Sequence, residues 1–205
     1  MRHGLTRLGH GILLFLVCSA CVNLERDAPE RHYFVIEVPR GADQSAPSGD
    51  DVLMVSNLRI SPRYADRSFV YRTSDAGYES DYYNQFLASP DVMISEELRK
   101  GLTASLQFKF VVGPADALQP NYSLEGSINS LYGDFRNAAQ PAAVLEMDFF
   151  LYRENSNNHS VVLQKRYVKS VPLNAKSPEA LVKGWDQALQ EIITALAADL
   201  KAAKM

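Results

Sequence analysis

Four carboxylates crowd one stretch of this chain. Asp66, Asp75, Glu79 and Asp81 fall between Tyr64 and Phe86, interleaved with Arg67 and Arg72 and preceded by Arg63. Two facing carboxylates are the equipment of acid–base hydrolysis, one holding a proton while the other stays ionised. Here every acid has an arginine close by in sequence. The pattern therefore reads as ion pairs that orient loops, each worth about 0–1 kcal/mol when exposed. Histidine adds little. His3 and His10 sit in the N-terminal leader, and His32 and His159 have no Cys or His at metal-ligand spacing. No G-x-S-x-G elbow, P-loop or G-x-G-x-x-G is present. No catalytic residue, no metal and no cofactor are expected. A net charge of −3 without a basic stripe argues against nucleic acid as a partner.

The covalent chemistry lies at the N-terminus. Arg2, His3 and Arg7 are followed by the apolar run Gly11–Val17 and then by Cys18-Ser19-Ala20-Cys21. The run is far shorter than the roughly 20 residues of a membrane span and fits a secretory signal peptide. Ser19 and Ala20 ahead of Cys21 resemble a bacterial lipoprotein cleavage box, although Cys18 stands where such boxes carry Leu. Cleavage before Cys18 would put Phe15-Leu16-Val17 in front of the cysteine, a poorer box. The reading is a signal peptide over 1–20 and a diacylglyceryl and N-acyl (palmitate-type) lipid on Cys21. One acyl chain binds a membrane only marginally, at about 0.8 kcal/mol per buried CH₂, whereas several together hold it. Val22 is not the Asp that would resemble an inner-membrane retention signal, which leans toward the outer membrane. Once acylated, Cys21 leaves no thiol for a disulfide.

Residues 21–32 read as a polar tether, and 33–205 as a single domain of ordinary size. Tyr33–Val38 is a compact apolar run that predicts a strand. Pro39–Asp51 is a loop. Val52–Ile60 predicts one strand buried on both faces, and Gln107–Val112 another. Ser89-Pro90-Asp91 opens a helix, with Ser89 as N-cap and Ile94, Leu98 and Leu102 on one stripe. Ser177-Pro178-Glu179 opens a second helix in the same way, with Leu181, Trp185, Leu189, Ile192 and Leu196 on one side. Trp185 reads as a core anchor or as the lining of a lipid groove. Tyr122, Leu124, Gly126 and Ile128 alternate with polar residues, as in a half-solvated antiparallel strand; Gly126 suggests close backbone approach or a bulge. Ala143–Arg153 and Val161–Val171, around the turn Glu154–His159, form a long hairpin. The fold class is α+β: a mixed or antiparallel sheet with two amphipathic helices packed on one face, in the order strands, helix, strands, helix. The matching helix openings suggest a duplication, or the chance recurrence of good caps.

Seven of the twenty aromatic residues lie between Tyr64 and Phe86. Tyrosine, with an apolar ring and a wet end, suits either the rim of a core or an interface. Tyr78, Asp81, Tyr82, Tyr83 and Phe86 are the candidate contacts for a partner protein or for self-association. The order Arg63-Tyr64, Asp66-Arg67, Phe69-Val70-Tyr71-Arg72 and Tyr78-x-x-Asp81-Tyr82-Tyr83-Asn84-x-Phe86 resembles the ABC-type transport auxiliary lipoproteins, the PqiC-like family, and the resemblance runs from about Tyr33 to the last helix. It implies a periplasm-facing, non-catalytic lipoprotein beside an ABC transporter and an MCE-type subunit in lipid transport across the envelope, and it suggests ring-like homo-oligomers. A small-ligand or lipid carrier and a purely structural envelope protein are the alternatives.

Overall fold

The computed structural model describes residues 30–39, 46–155 and 158–204. Cys21, the expected signal peptide and most of the expected tether lie outside the described residues. The elements run β1 (His32–Phe34), β2 (Val52–Val55), β3 (Arg59–Ile60), β4 (Ser68–Arg72), β5 (Tyr78–Phe86), α1 (Pro90–Ala104), β6 (Phe110–Val112), β7 (Tyr122–Asp134), β8 (Ala142–Asn155), β9 (Asn158–Pro172) and α2 (Pro178–Lys204). The order is strands, helix, strands, helix, and the sheet is mixed, so the α+β expectation holds.

Strand β7 is the spine. One edge pairs antiparallel with β8 along its whole length, and β8 continues into β9 as the expected long hairpin. The other edge takes β2, β3 and β4 in turn, all parallel. Beyond them the sheet divides, with β6 on β2 at one end and β5 and β1 on β4 at the other. The alternation of β7 explains its length. Tyr122, Leu124 and Ile128 point into the core, a bulge between Ile128 and Ser130 resets the phase, and Leu131 is buried again. Of the two readings of Gly126, the close approach is the one that applies there, since the bulge falls farther along, between Ile128 and Ser130. A Cβ there would lie 2.6 Å from Leu58 Cδ2 and 2.9 Å from the Phe149 ring.

That approach also explains why Val52–Ile60 is two strands instead of one. The chain leaves the ladder at Ser56, lays Leu58 across β7 and rejoins at Arg59. Only Leu53 and Val55 of β2 are fully buried, so the strand is buried on one face and not on both. The expected strand over Gln107–Val112 shrinks to β6. Leu106, at φ 56°, turns the chain at the end of α1 in the left-handed conformation that often closes a helix. Both helices lie on one face. The Ile94–Leu98–Leu102 stripe and the Leu181–Leu196 stripe are buried, and α1 and α2 meet where Gly101 admits Ile193. The two helix starts differ. Ser177 Oγ accepts the Ala180 N–H at 3.2 Å, whereas the Ser89 side chain makes no capping bond, and Pro90 and Asp91 mark that start alone.

The run Tyr33–Val38 is only half a strand. After β1 the chain leaves the sheet and crosses the helices. Glu37 N–H donates to Asp186 Oδ1 and Val38 N–H to Glu97 Oε2, each at 3.0 Å, while Ile36 and Val38 are buried. Helix carboxylates thus replace a neighbouring strand. Glu97 is itself buried and accepts a hydrogen bond from Lys100 Nζ at 3.0 Å. Burial, with the Glu37 and Glu97 carboxylates nearby, pushes the Asp186 carboxyl from 3.8 up to about 6 against the opposing Glu37 N–H bond. A carboxyl raised in the folded state binds its proton more tightly there than in the unfolded chain. It therefore favours folding as pH falls from about 6 toward 4, and that gain is lost as pH rises through 6. The gap caps the effect at about 3 kcal/mol, and water reaching the side chain lowers it. Asp186→Asn keeps an acceptor for Glu37 and carries no charge. We expect its denaturation midpoint to exceed that of the wild type at pH 7.5, with the advantage gone at pH 4.5. An equal advantage at both pH values would contradict this account.

Candidate docking site

The aromatic stretch forms the β4–β5 hairpin, and its register contains the decisive irregularity. Val70 pairs with Ser80, Tyr71 with Glu79 and Arg72 with Tyr78, but Ser68 pairs with Gln85. Asp81, Tyr82, Tyr83 and Asn84 therefore stand opposite the single residue Phe69, a wide bulge that the Asp81 side chain holds. Its Oδ1 accepts the N–H groups of Tyr83 at 2.8 Å and Asn84 at 3.0 Å. Its Oδ2 accepts from the Tyr71 hydroxyl at 2.7 Å and Asn84 Nδ2 at 2.8 Å. Burial raises the Asp81 carboxyl, but these four bonds outweigh it and hold the group below the usual carboxylate range. Burial, reinforced by Asp81, drives the Tyr71 hydroxyl well above the ordinary phenol range.

The bulge lifts two rings out of the sheet. Tyr82 and Tyr83 are 58% and 41% exposed and meet edge to face, 5.3 Å apart at 88°. Strand β1 runs beside them, parallel to β5, with Tyr33 opposite Gln85 and Phe34 opposite Phe86. It brings Arg31 over the Tyr82 ring at 4.1 Å and leaves Tyr33 49% exposed.

The five residues proposed as contacts are thus sorted into different roles. Tyr82 and Tyr83 form one exposed pair. Tyr78, at the far end of β5, is also exposed but belongs to another group, with Arg72 at 5.7 Å and Tyr132 at 5.8 Å. Asp81 faces inward and builds the bulge. Phe86 is 2% exposed and packs on Phe69 at 4.6 Å and Trp185 at 5.3 Å, so its ring is in the core and away from any partner. The bulge shifts the phase of β5, which puts Phe86 on the helix face while Tyr82, four residues before it, faces water. Arg31 and Tyr33 were missed, because nothing local in the sequence says that β1 lies beside β5.

The expected arginine partners of the four acids also change. Asp75 pairs with Arg136 at 3.3 Å, as does Asp134 at 2.7 Å, and Asp66 accepts the Arg67 N–H. Among the described residues no three His, Cys, Asp or Glu side chains gather as a metal-binding group. Trp185 is a core residue. A groove of about 280 Å³ lined by Val38, Gly101, Ala104, Ile193 and Ala197 opens between the helices, just below the roughly 300–1,000 Å³ of ordinary ligand sites. A second, of about 460 Å³, has a mixed lining that includes Arg99, Lys100, Asp116, Val111 and Pro114.

The family model for the ABC-type transport auxiliary lipoprotein component matches residues 34–197, most of the described fold. The chain belongs to this family. Two crystal structures share the fold of this auxiliary lipoprotein. Protein XCC0632 from Xanthomonas campestris, a DUF330 family-model protein, superposes with a TM-score of 0.72 at 15% identity, over 84% of this chain and 96% of that one. An uncharacterized protein superposes with a TM-score of 0.66 at 15% identity, over 83% of this chain and 99% of that one. No curated protein sequence matches the chain. Among the described residues no helix of this auxiliary lipoprotein is long and apolar enough to cross a membrane.

Proposed function

We propose that this protein is a lipid-anchored, periplasm-facing docking subunit of an ABC-type, MCE-associated lipid transport system. In this reading residues 1–20 are a signal peptide, Cys21 carries the diacylglyceryl and N-acyl lipid, residues 21–32 are the tether, and the domain from 33 onward contacts the transport machinery. The absence of Asp at position 22 favours the outer membrane. The domain's part is mechanical: it positions a partner and leaves nucleotide hydrolysis to another subunit. Family membership supplies the transport context. The single structural observation that supports docking is the exposed Tyr82–Tyr83 pair on its bulge, since exposed aromatics with only two side-chain torsions lose little entropy on ordering and are typical interface anchors. Carriage of a lipid within the domain is the weaker reading, given the size of the apolar groove between the helices.

The test is labelled palmitate with cell fractionation. Wild-type protein is expected to take up label and to sediment with membranes, and Cys21→Ala to stay unlabelled and move to the soluble periplasmic fraction. Wild-type protein that is unlabelled and free in the periplasm would end the proposal.

A further inference from the structure

We infer that Arg31 and Tyr33 complete the Tyr82–Tyr83 surface, and that this surface takes a carboxylate-bearing segment of a transport-subunit protein. The inference rests on the docking role proposed above and adds to it the residues and the chemistry of the partner. Arg31 Cζ lies 4.1 Å from the centre of the Tyr82 ring, and its guanidinium has the Tyr82 and Tyr33 hydroxyls as hydrogen-bonding neighbours. A guanidinium carries five N–H donors in a planar fork, more than two hydroxyls take up. That fork matches a carboxylate with two parallel hydrogen bonds. The site's own acid does not answer it, because both Asp81 oxygens are turned inward and accept four hydrogen bonds from Tyr71, Tyr83 and Asn84. Among the described residues, the groups that act on Arg31 are the Tyr82 and Tyr33 phenols, neither of which is a carboxylate. The exposed rings of Tyr33, Tyr82 and Tyr83 and the side chain of Leu87 provide apolar area around that charge. An apolar surface around a preorganised arginine is complementary to apolar protein surface that carries Asp or Glu. Asp81 is a positioning residue here, acting on the surface through the bulge.

The experiment uses the full-length lipoprotein in its own cells. A benzoylphenylalanine photo-crosslinker replaces Tyr33 or Tyr83 in turn, with exposed Val168 on β9 as control, and adducts are identified by mass spectrometry. From positions 33 and 83 we expect peptides of an ABC-transport subunit that contain Asp or Glu. Arg31→Glu should cut that yield about tenfold, the size of a lost interface anchor. Arg31→Lys should cut it less, because the charge stays and the fork is lost. Changing the captured acid to Arg should restore binding to Arg31→Glu. Asp81→Ala should lower capture as far as Tyr82→Ala does, whereas Asp81→Asn, which still accepts backbone N–H bonds, should retain part of it. Phospholipid adducts, adducts to a second copy of this chain, or a yield unmoved by Arg31→Glu would each overturn the inference. Capture of a transport subunit from Val168 alone would overturn this surface and leave the docking role standing. Capture from no position, with the protein intact on the membrane, would overturn both.

Discussion

Trp185→Ala should cost about 3–5 kcal/mol of folding free energy, read as the shift of the urea midpoint at constant slope. Against a total of about 5–15 kcal/mol for an ordinary domain, this is enough to leave much of the population unfolded at 37 °C. The indole is fully buried and joins the layers. It meets Phe69 edge-on at 5.1 Å and 90° and Phe86 at 5.3 Å, and Phe69 in turn meets Phe34 at 5.2 Å. Truncation removes ring contacts to β4 and β5 together. Trp185→Phe should cost only about 1–2 kcal/mol. It keeps a ring against both phenylalanines and removes an indole N–H that has no acceptor among the described residues. Tyr82→Ala and Tyr83→Ala are the contrast, with midpoints expected within about 0.5 kcal/mol of the wild type because their rings face water. A Tyr82→Ala loss as large as that of Trp185→Ala would mean the pair is structural and would remove it as a docking surface.

Gly126→Val should cost about 3 kcal/mol or prevent folded protein from accumulating. The added Cβ alone would lie 2.6 Å from Leu58 Cδ2 and 2.9 Å from two Phe149 ring atoms. Leu58 can swing its terminal methyl, but Phe149 is fully buried between the helices and the sheet and has nowhere to go. Valine's two further carbons make the overlap worse. Gly126→Ala should cost less, about 1–2 kcal/mol, and Leu58→Ala should recover part of that in the double variant, because the two sites share one space. Strict additivity of the two single costs would show that Leu58 and Gly126 do not compete for it.

The elements that could be read along the chain are those whose information is local. Ser-Pro-acidic starts and stripes at spacing four marked both helices, and alternation over Ala143–Arg153, the Glu154–His159 turn and a returning apolar run marked the β8–β9 hairpin. The errors share one cause. Val35–Val38 looked like strand because its side chains are apolar, yet its N–H groups go to Glu97 and Asp186 on the helices. Val52–Ile60 looked continuous because nothing in its own residues reports that Leu58 must cover Gly126. Each depends on a partner remote in sequence, and an apolar pattern does not name its partner.

The site divides along the same line. Residue types alone determined that Tyr78–Phe86 would be rich in rings able to anchor an interface, and that the chain would form two helices and a sheet. Only the tertiary structure decided which rings meet water. A strand that kept its alternation would have put Tyr82 and Phe86 on one face. Asp81 breaks that alternation by hydrogen-bonding Tyr71 across the hairpin, which opens the bulge, exposes Tyr82 and Tyr83 and turns Phe86 inward. Arg31 then arrives on β1 from far upstream. Propensity is a property of neighbours along the chain, whereas exposure is set by strand register, and register is fixed by hydrogen bonds between segments that the linear pattern leaves unpaired.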